Sequence, residues 1–220
     1  MKFNEFVSII DKNLKLPRPG FEAQKRMAPR LLDGNYTHDI EAPVGTRVNG
    51  VLVFVYPEDD RPHILFTVRT NHLPTHKGQI SFPGGGLNNG EDVVSAALRE
   101  AEEEVGLLRN DVKVVGQLSD LYIPVSNNVL SPVVAISEKK PVFEPNPEEV
   151  ERVLVSPIDL FMDDKCKCEE VWKLHDREII VPYWNMFDVP LWGATAMVLS
   201  EFLEVLSFGF DRLSPGSFEF

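Results

Sequence analysis

Apolar and polar positions alternate with a helical period at the two ends of the chain. The first apolar stripe, which predicts a short amphipathic helix, consists of Phe3, Phe6, Val7, Ile10 and Leu14. Asn4 is a candidate cap for this helix, and Pro17 and Pro19 require it to have ended. A segment without clear pattern follows to about Pro43, and a second helix is predicted over residues 194–206.

Short apolar runs between these ends predict strands. Residues 51–56 and 64–68, separated by a turn at 57–62, predict a hairpin. Further strands are predicted at residues 112–118, 130–136, 153–155 and 178–183, and Ser156-Pro157 is typical of a helix start. A strong helical pattern ends at Val105, with Gly106 in the usual stop position. Too few helices separate the strands for a doubly wound parallel sheet, so we expect an α+β or α/β fold in which a mixed sheet lies between helices.

The length of 220 residues predicts one main domain with appendages at its ends. We place an N-terminal helix and extended segment at residues 1–43, the main domain at 44–206 and a tail at 207–220.

The charge balance excludes several classes of protein. With 22 basic and 34 acidic residues, the net charge of −12 argues against a non-specific nucleic-acid binder. No apolar run approaches the roughly 20 residues of a membrane span. Cys166 and Cys168 lie too close together for an easy disulfide and match no ordinary zinc spacing, so we expect free thiols in a reducing compartment. The last three residues are not a peroxisomal signal and the charge pattern does not suggest a mitochondrial transit peptide, so we expect a cytoplasmic location. A polyanionic substrate would need a metal ion or a local basic cluster to offset the acidic surface.

The segment 85–107 carries the most informative pattern. One helical stripe, which we expect to be buried, consists of Val94, Ala97, Leu98, Ala101 and Val105. Glu100, Glu103 and Glu104 share a different face at i, i+3, i+4 spacing, where their charges repel. A solvated acidic surface helix is one interpretation. A site for a hard divalent cation such as Mg²⁺ or Mn²⁺ is the other.

The full spacing decides between these interpretations. Residues 85–107 match G-x5-E-x7-R-E-U-x-E-E-x-G-U, where U is a bulky apolar residue, at every charged and glycine position. The one departure is Ala101, which is small for the first U. A chance match of seven fixed residues has a probability of roughly one in 10⁸ per starting position. The segment therefore resembles the Nudix box, and the chain resembles a Nudix hydrolase.

This resemblance implies the Nudix fold and a hydrolase that uses Mg²⁺ or Mn²⁺ to cleave a diphosphate. It implies Glu100 and Glu104 as metal ligands, Glu103 as a ligand directly or through water, and the Gly84 carbonyl as a backbone ligand. Arg99 would orient the ligands, and Glu91 would brace the loop. The catalytic base is left open between a box glutamate and a loop acid, for which Glu148 and Glu149 are candidates against the interpretation that both are solvated.

A second motif lies directly upstream. Residues 65–85 resemble the signature of the coenzyme A diphosphatase branch, L-L-T-x-R-[SA]-x3-R-x3-G-x3-F-P-G-G. The residues that match it, or that commonly accompany it, are Arg69, His76, Gly78, Gln79, Phe82, Pro83, Gly84 and Gly85. The departures are Phe66, Thr70 and Pro74, of which Pro74 replaces an arginine whose planar fork it cannot supply.

The branch resemblance implies a coenzyme A-like nucleotide substrate, with 3′,5′-ADP and 4′-phosphopantetheine as products. The implied substrate-binding residues are Arg69, His76, Lys77, Gly78 and Phe82. Loop packing or surface exposure is the alternative for His72 and His76. The departure at Pro74 keeps ADP-ribose, a dinucleotide or a nucleotide sugar open as the substrate. A non-catalytic binding module is a further alternative, and retention of all three box glutamates argues against it. We expect no membrane or nucleic-acid partner, and the oligomeric state is left open, a homodimer included.

Overall fold

The computed structural model describes residues 1–36, 41–70, 78–174 and 177–207. Within these ranges the α-helices are α1 (Phe3–Asn13), α2 (Phe21–Gln24), α3 (Val93–Val105) and α4 (Gly193–Ser207). The strands are β1 (Arg30–Leu31), β2 (Arg47–Glu58), β3 (Arg61–Arg69), β4 (Ile80–Ser81), β5 (Gly84–Gly86), β6 (Lys113–Gln117), β7 (Leu121–Ile123), β8 (Asn128–Ile136), β9 (Val150–Pro157), β10 (Lys167–Leu174), β11 (Arg177–Trp184) and β12 (Leu191–Trp192).

A mixed sheet is built around β2. Strands β4, β3, β2, β8 and β6 lie in that order, while β5 pairs with β2, β7 with β8 and β9 with β3. The β2–β8 pair is parallel, and the other pairs are antiparallel. The predicted mixed sheet flanked by helices is therefore confirmed.

The β2–β3 hairpin is longer than predicted. Its strands run to Glu58 and from Arg61, so only Asp59 and Asp60 remain in the turn instead of residues 57–62. Both turn residues have positive φ (50° and 60°), the geometry of a two-residue turn that matches the strand twist.

A smaller sheet contains β1, β11, β10 and β12. Its main unit is a hairpin in which Lys167–Leu174 pairs with Arg177–Trp184 along eight positions. The pattern predicted β11 but not β10, because the charged residues of KCEEVWKL hide its strand period. The helix predicted from Ser156-Pro157 is only a 3₁₀ helix (Ile158–Met162), since β9 continues to Pro157.

Two apolar cores lie on the two faces of the larger sheet. On one face, Leu52 and Phe54 of β2 pack against Ala97 and Ala101 of α3. The other core includes α1, α4 and the opposite face of β2. Side chains of a strand alternate between faces, so β2 separates the two cores.

The N-terminal region differs from the prediction in two respects. The cap position of α1 is Lys2 and not Asn4, and the Glu5 carboxylate accepts a hydrogen bond from the Lys2 backbone N–H at 3.0 Å. The segment after α1, which had no clear pattern, contains α2 and β1. It is anchored by the buried carboxylate of Glu201, which accepts hydrogen bonds from the Gln24 side chain and the Ser119 backbone.

The structure also bears on the expected free thiols and on the expected lack of a membrane span. Cys166 and Cys168 are free and partly buried. Across the ranges the structure describes, every helix is too short or too polar to span a bilayer.

Candidate active site

Helix α3 is fixed closely against β2 and β5. Asp92 caps its start by accepting a hydrogen bond from the Ser95 N–H at 2.8 Å, and Gly106 ends it in the left-handed conformation at φ 71°. A Cβ on Gly50 would lie 2.5 Å from the Val93 carbonyl oxygen, so the strand approaches the helix this closely only with glycine there. These contacts fix the position of α3, and with it the positions of its glutamates, relative to the edge of the sheet.

The three glutamates occupy different environments. The Glu104 side chain is 3% exposed, the Glu100 side chain 16% and the Glu103 side chain 55%. Sequence spacing placed them on one face but did not distinguish them. The depth of each side chain follows from its neighbours on β5 and on the loop before β9.

Glu104 is a buried carboxyl with one oxygen unsatisfied. Its Oε2 has no hydrogen-bond partner within the described ranges, while Oε1 lies 3.7 Å from Nη1 of Arg69. Burial raises its pKa to about 8, against the opposing effects of the Arg69 charge and a hydrogen bond from the Gly84 N–H. The nearby Glu100 and Glu149 charges raise the pKa further.

Arg99 connects the box residues into one network. Its Nε and Nη2 contact the two carboxylate oxygens of Glu91 at 2.9 and 3.0 Å. Its Nη1 contacts Glu100 at 2.8 Å and Glu103 at 3.0 Å, and Nη2 also donates to the Gly86 carbonyl at 2.9 Å. Glu91 additionally accepts the Asn88 N–H. This guanidinium is placed to orient both carboxylates.

The glycines of β5 make room for the Glu100 carboxylate. A Cβ on Gly85 would lie 2.4 Å from the Glu100 Cδ, and a Cβ on Gly84 would lie 2.4 Å from the Gly50 carbonyl oxygen. Burial raises the pKa of Glu100, and the hydrogen bond from Arg99 opposes that rise. The Gly84 N–H donates to the Glu104 carboxylate, so the predicted backbone ligand lies beside the most buried of the three glutamates.

The upstream motif lies at the same edge of the sheet. Arg69 N–H donates to the Gln79 carbonyl at 3.1 Å and Gly78 N–H donates to the Arg69 carbonyl at 3.0 Å, so Gly78 is held opposite Arg69. Phe82 is buried against Phe66 with ring centroids 5.0 Å apart, which gives it a packing contact in addition to its predicted binding role. His72, Pro74, His76 and Lys77 lie outside the described residues.

The loop before β9 brings a further acid to the site. Thr70 donates its backbone N–H to the Glu149 carbonyl at 3.0 Å and its hydroxyl to the Glu148 carbonyl at 3.1 Å. The Glu149 charge contributes to the raised pKa of both Glu100 and Glu104, so this acid lies within electrostatic range of the box. Among the residues that the structure describes, the Glu148 side chain makes no interaction with the box.

Sequence reasoning missed the contacts that position this loop. The Asn146 N–H donates to the Glu104 carbonyl at 2.9 Å, and the Glu144 N–H donates to the Val105 carbonyl at 2.9 Å. The loop therefore satisfies the last carbonyls of α3. No local sequence signal reports such pairing, because the partners are about 40 positions apart.

In this conformation, no three His, Cys, Asp or Glu side chains within the described ranges converge as a metal-binding group. Arg99 supplies the positive charge beside Glu100 and Glu103 instead. The donor set nevertheless fits a hard cation. The unsatisfied Glu104 Oε2 and the neighbouring Glu100 carboxylate provide oxygen ligands at the glycine-lined edge.

A family model described as NUDIX domain matches residues 46–175. "Nudix hydrolase 15, mitochondrial" of Arabidopsis thaliana is 33% identical over 159 residues, which cover 68% of this chain and 55% of that protein. "Peroxisomal coenzyme A diphosphatase NUDT7" of Mus musculus is 34% identical over 140 residues, covering 60% of this chain and 59% of that protein. The chain therefore spans little more than half the length of these two relatives.

A solved structure shows the same fold. The crystal structure of a Nudix hydrolase from M. smegmatis, RenU, superposes with a TM-score of 0.54 at 16% identity, covering 86% of this chain and 98% of that one. The fold implied by the box is thereby confirmed. Because the family model covers more than half of the sequence, the chain belongs to the NUDIX domain family.

Proposed function

We propose that the chain is a metal-dependent hydrolase that cleaves a diphosphate bond in coenzyme A or one of its derivatives, giving 3′,5′-ADP and 4′-phosphopantetheine or its acyl form. The observation that carries this proposal is the buried Glu104, with one oxygen unsatisfied, beside Glu100 and the Gly84-Gly85 backbone. A buried carboxylate without a full set of partners is costly, and a divalent cation is the partner that a diphosphate hydrolase requires.

The ligand residues in this proposal are Glu100 and Glu104, with Glu103 acting directly or through water and Gly84 contributing its carbonyl. When bound, Mg²⁺ or Mn²⁺ would withdraw charge from the diphosphate and lower the pKa of a coordinated water. Arg99 holds Glu100 and Glu103 through one guanidinium nitrogen, which restricts the positions of both carboxylates.

Proton removal is assigned to Glu149. Its charge acts on both Glu100 and Glu104, and its backbone is tied to Thr70 at the end of β3. In the reaction, a water oxygen would form a bond to one phosphorus while the bond from that phosphorus to the bridging oxygen breaks. The second phosphate would leave with the bridging oxygen, and a water proton would pass to the Glu149 carboxylate. A glutamate of the box is the other candidate for this role.

The coenzyme A branch is favoured by the upstream motif and by its position. Arg69 reaches the Glu104 carboxylate, so its positive charge lies where a diphosphate would approach the ligands. Gly78 is held opposite Arg69 and delimits the segment that contains His76 and Lys77. In the sequence, Arg69, His76 and Lys77 lie within nine residues of one another in an acidic chain, which favours an anionic substrate for this segment. Cys166 and Cys168 as free thiols support the proposed cytoplasmic location.

The test is product analysis by mass spectrometry with Mg²⁺ or Mn²⁺. The substrates are coenzyme A, acetyl-coenzyme A, ADP-ribose, NADH and a nucleotide sugar. Release of 3′,5′-ADP and 4′-phosphopantetheine from coenzyme A at the highest rate supports the proposal. Faster cleavage of another diphosphate overturns the branch assignment alone, and absence of cleavage with either metal overturns the hydrolase.

Two glutamine variants test the proposed roles of Glu104 as a metal ligand and Glu149 as the base. Glu104→Gln should remove most turnover, whereas the matched Glu102→Gln, on an exposed position of the same helix, should retain it. Glu149→Gln should lower kcat while leaving metal affinity within a few-fold of wild type. If Glu149→Gln turns over at the wild-type rate, the base is a box glutamate.

A further inference from the structure

A cavity of about 620 Å³ lies at the start of β2, beside the box. Its walls are Arg47, Val48, Asn49, Gly86, Leu87 and Asn128. One guanidinium and two carboxamides thus contribute to a single concave surface. Such a lining offers several N–H donors and one fixed positive charge, which is the chemistry that recognises an anion with multiple oxygens.

Arg47 is available to such an anion. Among the residues that the structure describes, it makes no ion pair and no side-chain hydrogen bond. In contrast, Arg30, Arg61 and Arg152 are all paired with carboxylates. Arg47 is exposed to solvent where it lines this concave surface, so its guanidinium is accessible to an anion from solution.

The cavity is connected to the candidate active site through β5. Gly86 lines the cavity, pairs with Asn49 and accepts a hydrogen bond from Arg99 through its carbonyl. Gly84, which contacts Glu104, pairs with Val51, four residues along β2 from Arg47. The strand from Arg47 to Val51 therefore spans about 13 Å, and the Arg47 side chain can reach across part of this distance. The remaining separation suits a second phosphate attached to the ribose that adjoins the diphosphate.

We infer that this cavity binds a phosphate monoester on the nucleoside half of the substrate, with Arg47 as its principal ligand. The inference rests on the proposed function, since coenzyme A carries such a phosphate on its ribose. The planar guanidinium of Arg47 would pair with two phosphate oxygens, and Asn49 and Asn128 would donate to the remaining oxygens. The cavity would then select coenzyme A over diphosphates whose nucleoside lacks this group.

The experiment measures binding separately from turnover. Isothermal titration of the full chain with 3′,5′-ADP and with 5′-AMP gives the contribution of the ribose phosphate. We expect wild type to prefer 3′,5′-ADP by about tenfold or more. Arg47→Gln should remove that preference without changing 5′-AMP affinity, and Arg47→Lys should restore part of it. Arg61→Gln is the matched control, because Arg61 lies at the other end of the hairpin and pairs with Asp159.

Turnover supplies the second measurement. The ratio of kcat/KM for coenzyme A to that for 3′-dephospho-coenzyme A should fall in Arg47→Gln and stay unchanged in Arg61→Gln. If wild type shows no preference for 3′,5′-ADP, or if Arg47→Gln keeps it, the cavity assignment is wrong. If coenzyme A is not cleaved while the Arg47-dependent preference is present, the proposed reaction fails and the cavity assignment stands.

Discussion

Replacing Glu104 by glutamine should stabilise the metal-free protein at alkaline pH while removing its activity. The Glu104 carboxyl is buried, one of its oxygens lacks a hydrogen-bond partner within the described ranges, and its pKa is raised from 4.5 to about 8. Below pH 4.5 the group is neutral in both folded and unfolded chains. Above pH 8 it is charged in both, and the folded chain alone bears the cost of a desolvated charge.

The size of this cost follows from the pKa. One pH unit corresponds to about 1.4 kcal/mol, so a pKa raised from 4.5 to about 8 corresponds to roughly 5 kcal/mol. Between these two values the folded chain binds one more proton than the unfolded chain, so the free energy of unfolding falls as pH rises. Glutamine keeps the shape and cannot ionise, but it gives up the attraction to Arg69. We therefore expect a net gain of about 2–4 kcal/mol at pH 9.

Urea unfolding in EDTA at pH 5, 7 and 9 measures the difference. The advantage of Glu104→Gln over wild type should be small at pH 5 and largest at pH 9. Replacing the EDTA by Mg²⁺ at pH 9 should raise the stability of wild type more than that of the variant, since only wild type presents the Glu104 carboxylate. Glu102→Gln, at an exposed position of α3, controls for the removal of one negative charge.

Two results would refute this reasoning. A Glu104→Gln protein that is no more stable than wild type at pH 9 would mean that the ionised carboxylate is already compensated inside the folded chain. An equal gain in Glu102→Gln would mean that general charge repulsion, and not burial of Glu104, sets the effect.

Three further predictions test the surroundings of the site. Gly85→Ala places a Cβ about 2.4 Å from the Glu100 carboxylate, so Mn²⁺ affinity by titration should fall at least tenfold, and wild-type affinity would show that the carboxylate moves freely. Arg99→Lys loses the planar fork that holds Glu91 and Glu100, and kcat should fall by about 10–100-fold with circular dichroism unchanged; full activity would exclude a positioning role. Glu201→Gln disrupts a buried acceptor remote from the box, so it should cost about 1–3 kcal/mol in urea unfolding and spare kcat, whereas a stability within error of wild type would contradict the anchoring role.

The sequence predicted those features that depend on local spacing. The apolar stripe of α3, its end at Gly106 and the central hairpin all follow from residues within one or two turns of each other. The exposed hairpin strand β10 was missed because its inward and outward positions are both partly polar. The capping position of α1 was misassigned to Asn4, since Glu5 bonds the Lys2 backbone and fixes an earlier start.

Sequence spacing places the three box glutamates on one helix face but does not predict how differently they are buried. Spacing on a helix makes Glu100, Glu103 and Glu104 equivalent, and only tertiary packing separates them. Glu104 is buried by β5 and the loop before β9, whereas Glu103 remains exposed and balanced by Arg99. Both contacts join residues far apart in the chain, so no local window contains them.

This asymmetry fits the proposed metal-dependent hydrolysis. Three equivalent solvated carboxylates would gain little from a cation, because water already satisfies them. Burying a carboxylate with an unsatisfied oxygen destabilises the folded chain, because the charge has lost its water. A cation that binds this oxygen removes the destabilisation, and the free energy recovered contributes to the affinity. In the proposed metal site, the stability lost at Glu104 would be the source of the affinity for the cation, and the gain predicted for Glu104→Gln would measure both at once.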